Sequence, residues 1–182
     1  MLEELKDFAH IARDVMGGHA FAETLIPRKR NKVECDIIRV DGTVERHAVK
    51  GFNSRVSGGA SFQASLMGSA AGTPANYIAL STATLTPANG DTTLASEITS
   101  GANSGCARAL GTYQNYTAPS SLGAAASYQV TKTFTSAASS TVNSAALFNA
   151  SSSGTLFVEA NLSPAATLAN GDQLVLTWTI NI

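Results

Sequence analysis

Charge is nearly absent from most of this 182-residue chain: Ser57 to Ile182 holds only Asp91, Glu97, Arg108, Lys132, Glu159 and Asp172. An ordinary soluble domain gives roughly a quarter of its residues to Asp, Glu, Lys and Arg, so this segment presents Ser, Thr, Ala, Gly and Asn instead. Its apolar residues alternate regularly, which excludes a disordered reading. Charge depletion of this kind is the mark of surfaces that pack against other protein. Histidine is missing from the same segment, since His10, His19 and His47 all precede it, and that removes imidazole triads, proton shuttles and zinc–imidazole sites there. Nowhere do 18 apolar residues run together, and the start Met1-Leu2-Glu3-Glu4 is acidic and amphipathic. Neither a membrane-spanning segment nor a cleaved secretion signal is expected. Cysteine is limited to Cys35 and Cys106, at no metal-ligand or redox spacing, which fits two free thiols made in a reducing cytoplasm. Phosphate-binding Gly-rich signatures, Gly-x-Ser-x-Gly, His-Glu-x-x-His and Cys-x-x-Cys are all absent. The expectation is a chain with no catalytic residues, no cofactor and no resident metal.

The remaining 19 of the 25 charges lie before Ser57. Formal net charge is −1, so no global field draws the chain to nucleic acid or a membrane surface. The break divides the sequence into a charged N-terminal arm, residues 1–56, and a Ser/Thr/Ala-rich body, residues 57–182. In the arm, Leu5, Phe8, Ala9, Ala12, Val15 and Met16 recur at helical spacing before Gly17-Gly18. Arg28-Lys29-Arg30-Asn31-Lys32 forms a local positive cluster, and Arg28, Lys29, Arg30 and Lys32 are candidate contacts with a protein scaffold. Two strand-like runs, Val33 to Val40 and Thr43 to Val49, flank Asp41-Gly42, a hairpin signal of the two-residue type. That loop would place Ile37 across from Arg46 and Asp36 across from His47, with a bulge between Ile37 and Ile38 where the apolar phase changes.

In the body, Phe62, Leu66 and Met67 suggest a short helix within Gly51 to Gly72. Tyr77 to Thr82, Tyr128 to Thr135, Thr141 to Phe148, Thr155 to Ala160 and Gln173 to Asn181 read as strands, the last with Leu174, Leu176, Trp178 and Ile180 on one face. Turn clusters at Pro87 to Asp91, Asn149 to Gly154 and Asn170 to Asp172 separate them. Short strands without helical crossovers predict a mainly β fold: an antiparallel β-sandwich, jelly-roll or Ig-like, carrying an N-terminal helix and β-hairpin arm. The body's four carboxylates show no spacing that pairs them for glycoside cleavage, and Asp91 and Asp172 suit turn roles. Tyr113, Tyr116 and Tyr128 offer an alternative function, an adhesin module that stacks sugars on exposed aromatics; Trp178 is in phase with the core instead.

From Asn76 onward the chain resembles a known group. The residues that carry the likeness are Asn76-Tyr-Ile-Ala-Leu-Ser81, Asp91-Thr-Thr-Leu-Ala-Ser-Glu97-Ile98, Arg108-Ala-Leu-Gly-Thr-Tyr113, Thr133-Phe-Thr135, Ala146-Leu-Phe-Asn-Ala150, Gly154-Thr-Leu156, Leu168-Ala-Asn-Gly-Asp172 and Val175-Leu-Thr-Trp-Thr-Ile180. Their order is similar to that of tailed-bacteriophage virion structural proteins, the tail-fibre-like or minor structural β-sandwich family. Such proteins usually carry Glu-x-Gly before Leu-Phe-Asn, where this chain has Ser144-Ala145-Ala146. The resemblance implies a non-enzymatic virion component that associates with itself, as a homotrimer, and with capsid, neck or tail proteins, in fibre attachment or capsid decoration. It also implies a structural pair, Glu97 with Arg108.

Overall fold

The computed structural model describes residues 32–48, 54–68, 73–117 and 127–181. The helix expected at the start of the chain lies outside them. Among the described residues ten strands form two antiparallel five-stranded sheets packed as a sandwich, which is the architecture the alternation predicts. Sheet I has the order β2 (Val44–Ala48), β1 (Lys32–Ile38), β10 (Gln173–Asn181), β7 (Ser127–Thr135), β6 (Thr112–Thr117). Sheet II has the order β3 (Ser54–Arg55), β9 (Leu156–Leu168), β8 (Ser140–Phe148), β4 (Tyr77–Ser81), β5 (Ala109–Leu110). Two short helices, α1 (Ser57–Gly68) and α2 (Ser100–Asn103), complete the described elements together with a 3₁₀ turn at Ser104–Cys106.

Strand periodicity explains the core. Alternate residues of β10, Leu174, Leu176, Trp178 and Ile180, point to one side and are all buried. They meet Val33, Cys35 and Ile37 of β1 and Val130 and Phe134 of β7, and face Ile78, Leu80, Val142, Ala145, Leu147, Val158 and Leu168 of sheet II. Burial of each large side chain contributes about 1.5–3 kcal/mol. Helix α1 seals the β9 side through Phe62, whose ring meets Phe157 edge-on at 6.1 Å. Gly59 allows this approach, because a Cβ there would lie 2.1 Å from the Phe157 carbonyl oxygen. At the opposite corner Asn103 is buried, with Nδ2 2.9 Å from Ser136 Oγ and Oδ1 accepting the Ala137 N–H at 2.9 Å.

The hairpin differs from expectation in its register. Arg39 N–H donates to Thr43 O and Gly42 N–H to Arg39 O, leaving a three-residue loop of Val40, Asp41 and Gly42. Only Gly42 takes positive φ, +85°, while Asp41 stays out of the left-handed region and accepts the Thr43 N–H. This is a tight turn closed by a glycine bulge. It sets Ile37 opposite Glu45, Asp36 opposite Arg46 and Cys35 opposite His47, one step from the two-residue register. No bulge interrupts β1: its ladder with β10 runs unbroken from Lys32 to Ile38, and Ile38 simply faces outward.

Two further differences concern extent. Strand β9 continues eight residues past Ala160, to Leu168. Pro164, which has no N–H for the ladder, falls where the register with β8 shifts between Asn161 and Ala166, and an irregular stretch of this kind accommodates proline. The charge break at Ser57, moreover, is not an edge of the sheets. Strands β1 to β3 precede it, β1 lies between β2 and β10, and Val33, Cys35 and Ile37 belong to the core.

Candidate functional site

The face of sheet II turned away from sheet I is covered by a strap, residues 82–98, that crosses it without regular secondary structure. Sequence dictates this cover, because the outer phase of these strands is not polar throughout. Ala79, Ala146, Phe148 and Leu156 are buried there and close over Leu94 and Val56, with Leu85 and Tyr77 at the margin. Polar residues interspersed among them hold the strap's backbone. Ser144 Oγ donates to Ala83 O at 2.8 Å, and Asn143 Nδ2 to Thr82 O at 2.6 Å. Asn161 accepts from Leu85 N–H at 2.7 Å and donates to Leu85 O at 3.0 Å. Ser81 Oγ donates to Ala95 O, and Ile98 N–H to Leu80 O at 2.8 Å.

The structure brings Glu97 and Arg108 together at the far end of this strap. The guanidinium binds the carboxylate through both forks, Nε to Oε1 at 2.8 Å and Nη2 to Oε2 at 2.6 Å. Its Nη1 donates to Ser153 O at 2.7 Å and Ala150 O at 3.3 Å, tying in the β8–β9 turn. The plane lies 3.6 Å over the Phe148 ring centroid. Only Arg supplies a planar fork, extra donors and a stacking face together. Arg108 retains 9 % side-chain exposure and Glu97 23 %.

Asp91 and Glu159 form a second cluster midway along the strap. Asp91 Oδ2 accepts the Ala88 N–H at 2.7 Å, the turn role expected for it. Burial first, and the Asp91 carboxyl second, push the Glu159 carboxyl up to about 7. A glycosidase needs its two carboxyls about 5 to 9.5 Å apart across a sugar. Glu159 is 2 % exposed beneath the strap.

Asp172 completes the set. It accepts from Ala169 N–H at 2.9 Å, Val40 N–H at 3.1 Å and Arg39 Nη1 at 2.7 Å, while Arg39 grips Glu45 through its other two nitrogens. Backbone donation from Ala169 and the Arg39 guanidinium hold the Asp172 carboxyl below the usual range, and Arg39 does the same for Glu45. Four of the body's six charged residues, Glu97, Arg108, Asp91 and Asp172, are therefore spent on contacts within the protein, and Glu159 is buried. Among the described residues Asp91, Lys132 and Glu159 of the six form no ion pair. What the outer face of sheet I presents on β6, β7 and β10 is Thr112, Gln114, Gln129, Thr131, Thr133, Val175, Thr177 and Thr179, joined by Gln129 to Thr179 and Thr131 to Thr177 hydrogen bonds of 3.1 Å.

Of the basic cluster, Arg28, Lys29 and Arg30 lie outside the described residues; Lys32 opens β1, exposed and paired with Glu34 at 2.6 Å. His47 rests against Pro164 O at 3.4 Å. Of the aromatics, Trp178, Phe134, Phe148 and Phe157 are buried. Tyr113 is 54 % exposed, its ring 5.6 Å from that of Tyr128. A shallow groove of about 420 Å³ opens on the same strands, lined by Leu110, Thr112, Gln114, Thr131, Lys132 and Thr133. Among the described residues no group of three or more His, Cys, Asp or Glu is placed to hold a metal ion, and no helix is long and apolar enough to cross a membrane.

Sequence reasoning missed the strap, because its anchors Asn143, Ser144 and Asn161 are 61 to 76 residues from the strap positions they hold and sit in no recognisable motif. Residues 55–179 match the family model described as podophage GP4 fiber I protein gp80. No curated protein and no solved structure matches the chain.

Proposed function

We propose that this chain, which belongs to the podophage GP4 fiber I protein gp80 family, is a non-enzymatic structural component of the virion whose sandwich associates with copies of itself. A podophage fibre family implies a structural role in a virion and association with other virion proteins. The observation that carries the finer reading is the internal use of charge. With Glu97, Arg108, Asp91 and Asp172 committed to contacts within the chain and Glu159 buried, the Thr and Gln on the outer face of β6, β7 and β10 can be buried against a neighbour without stripping water from those ions. A homotrimer is the assembly proposed. The charged segment, with Arg28, Lys29, Arg30 and Lys32, is the proposed contact with capsid, neck or tail, in fibre attachment or capsid decoration. Light scattering on the purified full chain tests self-association: a mass near three chains supports it, and a monomer at every accessible concentration overturns it.

One observation favours a second reading. The exposed Tyr113 ring, 5.6 Å from that of Tyr128, is suited to stacking on a sugar. Glycan-array binding that disappears in Tyr113→Ala supports it, and an array without hits removes it.

A further inference from the structure

The tetrapeptide Ala-Asn-Gly-Asp occurs twice, at residues 88–91 in the strap and at residues 169–172 between β9 and β10. Both copies fold into a turn closed in the same way. Asp91 N–H donates to Ala88 O at 3.2 Å while Asp91 Oδ2 accepts Ala88 N–H at 2.7 Å; Asp172 N–H donates to Ala169 O at 3.2 Å while Asp172 Oδ2 accepts Ala169 N–H at 2.9 Å. Asn89 and Asn170 are both exposed, so access of water does not separate the copies. The glycine does. Gly171 takes a φ of +89° and its N–H is bound to Ser136 O at 2.8 Å, with Asp172 O accepting Ser136 N–H at 2.8 Å beside it. Gly90 is exposed, stays out of the left-handed region, and has open space where a Cβ would stand. Among the described residues neither the Gly90 N–H nor the Asn89 side chain has a hydrogen-bond partner.

This difference bears on a reaction that needs no catalyst. The nitrogen that follows an asparagine can close a five-membered ring on the side-chain carbon Cγ, and glycine at that position offers no side chain to hinder it. Here Gly90 N would bond to Asn89 Cγ and the Cγ–Nδ2 bond would break; the proton lost from Gly90 N ends on Nδ2, which leaves as ammonia. Water then adds to either carbonyl of the succinimide, and the ring opens to aspartate or isoaspartate. A nitrogen whose N–H is held by a carbonyl must first break that bond to turn toward Cγ. Gly171 is held in this way by Ser136, and Gly42, in the Asp41-Gly42 step, by Arg39 O at 2.9 Å with a φ of +85°.

We propose that Asn89 is a self-modifying site of the folded chain, converted through attack by Gly90 N, while Ser136 keeps the identical Asn170–Gly171 step unreacted. Conversion adds one negative charge to the strap, in the charge-poor part of the molecule. Opening to isoaspartate also reroutes the main chain through Cγ. The Asn89 carbonyl that accepts Ser57 N–H at 2.9 Å then becomes a pendant carboxylate, and the strap's tie to the start of α1 no longer runs through the main chain. The site does not depend on the virion reading.

Peptide mapping by mass spectrometry of the full chain, held at pH 8 and sampled over time, reads both steps in one molecule. In the native chain conversion at Asn89 is expected to exceed that at Asn170 by about tenfold or more, the factor that one broken hydrogen bond supplies. In chain unfolded by urea the two identical tetrapeptides should react at equal rates, which assigns the difference to the fold. Gly90→Ala, whose Cβ has open space in the turn, should suppress conversion of native protein by hindering the attacking nitrogen. Equal rates in the native chain, faster conversion at Asn170, a difference that persists in urea, or undiminished conversion in Gly90→Ala overturns the proposal. So does an Asn89 that stays amidated in native protein and reacts only in urea, since the strap then holds its turn as firmly as Ser136 holds the other copy.

Discussion

Replacing Arg108 with alanine tests whether the strap is fixed from its end. The substitution removes both forks of the Glu97 pair, at 2.8 and 2.6 Å, the donors to Ser153 O and Ala150 O, and the plane covering Phe148. Hydrogen bonds to a charged partner contribute about 1.5–3 kcal/mol each, and a cation over an aromatic ring adds about 1 kcal/mol. These terms share one side chain and do not add, and breaking a buried pair costs about 3–5 kcal/mol as a whole. Glu97, 23 % exposed, recovers some hydration once abandoned, which places the loss at the lower end, about 3 kcal/mol. With a urea slope of about 2 kcal/mol per molar, the unfolding midpoint falls by about 1.5 M. Arg108→Lys keeps the charge but loses the fork and the stacking plane, and is expected to restore less than half of the loss. A cycle with Glu97→Ala should give a coupling of about 2 kcal/mol, because each partner's loss contains the other's. A midpoint shift below about 0.5 M, or strictly additive single losses, would show that the pair does not fix the strap.

Three other outcomes follow from the same geometry. Arg39→Leu should reduce stability at pH 7 and flatten its decline on acidification: Asp172 is held below the ordinary range by the Ala169 N–H and then by Arg39, and Glu45 by Arg39, so the part that Arg39 supplies is present above that range and is lost as pH falls; an unchanged acid limb in denaturation curves would contradict this. Cys35 is fully buried with its thiol pushed up to about 12 by burial and then Asp36, and the buried Cys106 is shifted the same way. Neither should react with a thiol reagent at pH 8 until the protein unfolds, and rapid labelling of native protein would refute the packing of β1. Deleting residues 1–31, which ends just before β1, should leave the β circular-dichroism signal intact and abolish attachment to particles; loss of the signal would place that segment in the core.

Strand β10 was legible because its alternation is strict from Leu174 to Ile180 and both faces of the sheet enforce it. The hairpin was legible as a hairpin, but its register was not. Asp-Gly serves both a two-residue loop and a turn with a glycine bulge, and the choice depends on Asp41 bonding Thr43. Strand β9 was cut short at Ala160 because Asn161 and Pro164 imitate punctuation, whereas Asn161 is the strap's anchor and Pro164 occupies an irregularity in the ladder. The change in charge density was real but was a poor guide to the sheets, since β1 carries Glu34 and Asp36 outward and Val33, Cys35 and Ile37 inward. The strap was invisible for a different reason. Its anchors on β8 and β9 join residues 61 to 76 positions apart, and an isolated Ser or Asn in a strand gives no signal of what will cross it.

The most direct test of the structural role is immunogold electron microscopy of particles of the phage that encodes this chain, using antibody against the folded protein. The account predicts gold on assembled virions, clustered at one vertex and the tail for fibre attachment or spread over the head for decoration. Particles that carry no gold, with the protein remaining entirely in the unassembled fraction of the lysate, would contradict it.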